Sequence, residues 1–250
     1  MGSKGFSLVE VMVATAILGI VMAGIVTAFH EQLSLHSRQR NTSEMQQNVR
    51  TAMYFITRDL QMAGYDPVGT AGSGIQPVPG RHDAMALSMD VTGGDADSID
   101  NDGDGETDNP QEEGFGDGST DGPNEIIAYA LNANKLTRAS GNGSPQTLAA
   151  NIDVLDFEYF GLNPLDPLCN TDCHMDINRA ATNPDDIRIV QVSIIARAGA
   201  AAGAGGHQAL DRSIYYTQVG KVILNKEKNP DRERRFMLSS EIRLRNQGLH

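Results

Sequence analysis

Residues 4–20 read KGFSLVEVMVATAILGI and open an apolar run that reaches Phe29. From Phe6 to Phe29 there are 24 residues, and Glu10 is the only charged one. As a helix rising about 1.5 Å per residue, the run is roughly 36 Å long, enough to cross a bilayer. No other apolar run in the chain is long enough to do so. A carboxylate inside it costs on the order of 2.5–3.5 kcal/mol at a membrane centre, so Glu10 needs compensation or a use. A secretory signal has an apolar core of about 7–15 residues and then a cleavage site; this run is longer and carries an acid near its start. A retained anchor with Lys4 on the cytoplasmic side fits the positive-inside tendency but leaves Glu10 unexplained.

The same stretch resembles the prepilin leader of type IV pilins and type II secretion pseudopilins. The matching features are Lys4 and Gly5 before a cut, Phe6 after it, Glu10 four residues beyond Phe6, and then an uninterrupted apolar helix. The resemblance implies that a prepilin peptidase removes residues 1–5 as a leader and N-methylates Phe6. The new amine at Phe6 would then lie one helical turn from Glu10. Amine and carboxylate can pair within a subunit or between neighbours, offsetting desolvation and setting axial register. A glutamate snorkelling to the membrane surface is the plainer reading of Glu10.

Beyond the apolar run, Met45, Val49, Ala52, Met53, Ile56 and Leu60 recur every three or four residues, an amphipathic stripe. This predicts one helix over residues 6–63, membrane-embedded over 6–29 and packed on a globular domain further along. Gly64 and Pro67 would end it. Residues 64–250 then change period. MALSMDV, EIIAYAL, IDVLDFEYFG, IRIVQVSIIARA and RRFMLSSEIRLRN read as strands. GTAGSGIQPVPG, SGNGSPQ and GAAAGAGGHQ read as long loops. A long helix followed by strands points to an α+β fold, the helix packed on antiparallel β-sheet.

QNVRTAMYFITRDLQMAGYDP, the acidic stretch before GPNEIIAYAL, VLDFEYF and RRFMLSSEIRLRN together look like a PilW-type minor pilin of the type IV pilus, in that order over nearly the whole chain. The J-type minor pseudopilin of type II secretion is the nearest rival. Major pilins often carry a proline in the apolar helix, and this chain has only Gly19 and Gly24 as soft points there. The resemblance implies a pilin-like, non-enzymatic subunit that primes assembly or forms the tip. Its partners would be other minor pilins, the major pilin, the prepilin peptidase and the inner-membrane assembly platform. It would first be a single-pass protein of the bacterial inner membrane with a periplasmic C-terminal domain, and later part of a pilus at the cell surface, in a machine serving adhesion, motility, DNA uptake or secretion.

Net charge is -12 over 250 residues, but between Asp83 and Asn134 there are 14 Asp or Glu and no Lys or Arg. The rest holds 20 basic against 18 acidic residues. Such acidity argues against a nucleic-acid partner. Within the acidic loop 95–122, Asp100, Asp102 and Asp104 alternate and Gly105 follows, as a calcium loop requires. Glu106 and Asp108 continue the set, Gln111 stands where a bidentate glutamate is wanted, and Glu112 follows. Pro110 opposes the exit helix of an EF-hand, so the expectation is a calcium loop within a β-rich domain. A solvated acidic loop is the plainer alternative. A membrane-anchored, calcium-dependent binding module is a further functional reading.

The two cysteines, Cys169 and Cys173, lie in LCNTDCH. Outside the cytoplasm they would close a small disulfide loop, the leading reading. C-x-x-x-C-H is longer than the usual haem-attachment pattern, so no haem is expected, and a zinc site with His174 lacks an evident fourth ligand. No nucleophile–base motif, phosphate loop or H-E-x-x-H pattern is present, and the six histidines are scattered. The chain does not read as an enzyme.

Overall fold

The computed structural model describes residues 5, 7–96, 98–100, 103–141, 143–161, 173–198 and 210–246. Its first element, α1 (Leu8–Met62), is 55 residues long, about 80 Å at helical rise. Its two halves have different surroundings. Every large apolar side chain from Leu8 to Leu35 is exposed, whereas Met45, Val49, Ala52, Met53, Ile56 and Leu60 are buried. The expected stripe is therefore the packed face. The expected bounds 6–63 shrink to 8–62 because Ser7 takes the N-cap position, with extended backbone. At the other end the Ala63 amide closes on the Asp59 carbonyl at 3.0 Å, and Gly64 turns the chain at φ 75°. The Gly64 amide donates out of the helix, to the Ser88 carbonyl at 3.0 Å. Only glycine adopts that backbone without steric cost.

The chain then builds β1 (Ile75–Pro77), β2 (Ala84–Ser88), β3 (Ile126–Asn132), β4 (Lys135–Ser140) and β5 (Gln146–Ala150), an antiparallel meander in the order β1-β2-β3-β4-β5. A second sheet comprises β6 (Ile152–Gly161), β7 (Cys173–Met175), β8 (Ile187–Arg197) and β11 (Arg235–Arg243), ordered β11-β8-β6-β7. A short helix, α2 (Ile177–Thr182), precedes β8; a two-stranded hairpin of β9 (Ile214–Tyr216) and β10 (Val222–Asn225) precedes β11. All described strand pairs are antiparallel. Helix α1 packs on β5, β8 and β11. One hydrophobic core joins its stripe to Leu87, Ile127 and Tyr129 of the first sheet and Leu155, Phe157 and Val192 of the second.

Five expected strands are present, and IDVLDFEYFG spans β6 residue for residue. The polar KLTRAS and QTLAA were not expected as strands, yet they form β4 and β5. Their signal lay in the turn. Ala133 and Asn134 have φ of 47° and 61° between the paired Asn132 and Lys135, the two-residue hairpin geometry that matches strand twist. The loop expected over GTAGSGIQPVPG contains the three-residue β1. GAAAGAGGHQ falls wholly outside the described residues.

Candidate functional site

At the start of α1, Ser7-Leu-Val-Glu10 spells a capping box. The Ser7 amide donates to Glu10 Oε2 at 3.4 Å, and the Val11 amide to the Ser7 carbonyl at 3.2 Å. Glu10 therefore sits in the first turn, where a carboxylate also favours the helix dipole. Sequence reasoning assigned Glu10 to the Phe6 amine and overlooked this local bond, although Ser and Glu three residues apart ahead of an apolar run signal it. Phe6 lies outside the described residues; Gly5 is described and exposed. Past Glu10, α1 offers a continuous unburied apolar surface. Among the described residues it is the one helix long and apolar enough to cross a membrane.

Where α1 reaches the sheets, Asp59 is buried and takes two donors on Oδ2: Tyr129 Oη at 2.5 Å and Arg138 Nε at 2.7 Å. Burial first, then the Asp59 carboxylate, pushes the Tyr129 phenol well above its usual range, so it remains a donor. These bonds tie the globular half of α1 to β3 and β4.

The acidic loop is organised by carboxylates at its two necks. Asp90 is fully buried and accepts the amides of Asp117 and Gly118 at 3.0 and 2.9 Å. Glu125, also fully buried, accepts the amides of Val91, Thr92 and Gly122 at 3.0, 2.9 and 2.6 Å, together with the Thr92 hydroxyl. Burial raises the Asp90 carboxyl above the usual carboxylate range against the pull of its two amides, with Glu125 and Asp117 adding to the rise. Two glycines make this closeness possible: a Cβ on Gly116 would overlap the Asp90 carboxylate, and one on Gly122 the Thr92 hydroxyl. Neither Asp90 nor Glu125 was singled out in the sequence, because a buried carboxylate that serves as a template for backbone amides has no spacing rule.

Of the expected calcium ligands, Asp100 accepts the amides of Gly103 and Gly105 at 2.7 and 2.9 Å, so the loop wraps around its carboxylate. Asp104 accepts the Glu106 amide at 2.8 Å and Asp108 the Ser98 amide at 2.7 Å. Glu112 is buried and accepts the Asn109 amide at 3.0 Å. Asp102 lies outside the described residues. Among the described residues, no three His, Cys, Asp or Glu side chains are grouped to hold a metal ion. Cys173 begins β7 opposite Gly161 and is not a free thiol; Cys169 lies outside the described residues.

The prokaryotic N-terminal methylation motif matches residues 1–26. The pilin-like protein PilA3 of Thermus thermophilus is 48% identical over 61 residues, which cover 24% of this chain and 26% of that protein. The chain thus aligns with about a quarter of the length of this relative. A type IV-like pilin from Thermus thermophilus superposes with a TM-score of 0.44 at 11% identity, covering 80% of this chain and 95% of that one. The methylation motif thus lies over the apolar start of α1, and antiparallel sheets follow the helix.

Proposed function

We propose that the chain is a non-enzymatic, PilW-type minor pilin, cleaved after Gly5, methylated at Phe6 and inserted in a type IV pilus to prime assembly or form its tip. The observation that carries this reading is the two-part helix. One continuous α1 is exposed and apolar from Leu8 to Phe29, with Glu10 its sole charge there, and buries one face in its own domain from Met45 onward. Such a half-helix needs cover, first from lipid and then from neighbouring pilin helices. Before assembly the globular domain would be periplasmic, where Cys169 and Cys173 would form their disulfide. Calcium in the acidic loop would draw on Asp100, Asp102, Asp104, Glu106, Asp108 and Glu112 and relieve their mutual repulsion.

Intact-mass analysis of protein from membranes and from sheared surface filaments tests the proposal. A mass lacking residues 1–5 and carrying one added methyl, found in the sheared fraction, is the expected result. A full-length mass confined to membranes would sink it. Calcium in the loop has its own test: chelator should lower the melting temperature, and an unchanged melting curve removes the ion from the account.

A further inference from the structure

The outer face of the second sheet carries a buried polar group that the pilin reading does not use. Asp156 and Glu158 alternate on β6, and their cross-strand partners on β8 are Ser193 and Gln191. All four are buried. Lys221, in the turn ahead of β10, reaches in from the hairpin and donates to Asp156 Oδ1 at 2.8 Å, with Glu158 Oε1 at 3.7 Å. His174 on β7 stands 3.9 Å from Glu158 Oε1, and Glu241 on β11 lies opposite Gln191. Asp156 Oδ2, both Glu158 oxygens and Gln191 Oε1 are buried without a hydrogen-bond partner. One ammonium thus faces two buried carboxylates, and Gln191, the cross-strand partner of Glu158, adds a buried, unpartnered amide oxygen.

Native proteins rarely leave such groups unsatisfied, and an ion is one of the few ways to complete them. We propose that Asp156, Glu158 and Gln191 form a binding site for a hard divalent cation such as calcium, with Lys221 as its internal competitor. An all-oxygen donor set of two carboxylates and an amide suits that class of ion. The ion would replace a single positive charge by a double one. It has a route in, because the side chains of Lys221 and His174 are 36% and 43% exposed. This site is separate from the acidic loop and does not depend on the assembly role.

Thermal melting of the full chain in detergent, with calcium chloride added at neutral pH, tests the site in a background where Asp100→Asn and Asp104→Asn disable the loop. Lys221→Met removes the competitor, so calcium should raise its melting temperature by several degrees and bind about tenfold more tightly than to the Lys221 protein. Adding Glu158→Gln to Lys221→Met should abolish that rise. No calcium-dependent rise in Lys221→Met up to about 10 mM, above the range of weak extracellular modules, overturns the proposal. So does a rise that survives Glu158→Gln.

Discussion

Glu10 has two separable capacities, and single substitutions can tell them apart. At the N3 position of a capping box it holds the Ser7 amide at 3.4 Å, a distance beyond the usual hydrogen-bond range, which leaves most of the carboxylate free to pair with an amine. Glutamine at this position keeps the capping function but loses the charge. Under the proposed role, Glu10→Gln and Glu10→Ala should both be cleaved after Gly5 and both be depleted from sheared filaments. Wild-type amounts of Glu10→Gln in that fraction would mean that the cap, not the charge, is what assembly needs. Gly116 carries a different kind of residue-scale constraint. A methyl group there overlaps the Asp90 carboxylate, so Gly116→Ala should cost about 1–3 kcal/mol, as overpacking does, read as an earlier denaturation midpoint. An unchanged midpoint would show that the neck of the acidic loop yields freely. The acidic residues also mark how far sequence reading reached. Alternation drew attention to Asp100 and Asp104, while Asp90 and Glu125, which hold the loop, follow no period because their partners are backbone amides.

At the scale of elements, α1 is legible because a 24-residue apolar run leads into a stripe at three- or four-residue spacing, and β6 and β8 because long β-branched and aromatic runs have few other readings. The edge strand β5 and its neighbour β4 were hidden, since a polar surface strand is specified by its turn and its partners more than by its composition. The tie between helix and sheet was also invisible, as Asp59, Tyr129 and Arg138 are separated by 70 and 79 residues from the helix partner. That tie can be measured. Tyr129→Phe leaves the ring in the core and removes one donor to a charged acceptor, a loss of about 1.5–3 kcal/mol. Denaturant unfolding of the full chain in detergent should move accordingly. If Tyr129→Phe unfolds at the wild-type midpoint, the Arg138 bond alone fixes Asp59 and the phenol is only packing.

Across the whole molecule, the densest ion pairing lies outside the acidic stretch. The segment carrying the β9–β10 hairpin is fastened at its base by Arg235, whose side chain is 1% exposed and which meets Asp153 at 2.6 Å, Asp211 at 3.0 Å and Asp231 at 2.7 Å. Asp211 and Asp231 form an isolated antiparallel bridge there, and Lys226 adds a second cation on Asp231 at 2.8 Å. The Arg235 guanidinium holds the Asp231 carboxyl well below its usual range. Burial works against the same fall at Asp211, but the Ser213 amide and hydroxyl, with Arg235, outweigh it. Because both folded-state values are depressed, the unfolded chain takes up protons first on acidification. The stabilisation from this clasp is therefore complete above the unfolded carboxylate range, about pH 4, and is lost as pH falls through the lower folded values. Asp90 acts in the opposite sense, since its raised value lets the folded state gain a proton earlier. Stability should hold from neutrality to about pH 4 and then fall steeply. In Asp231→Asn it should be lower at neutral pH and fall less steeply below that point, because one of the depressed carboxylates is gone. Melting temperatures of both proteins from pH 7 to about pH 3 decide it: parallel curves would place the acid sensitivity elsewhere in the chain and leave the hairpin held by packing.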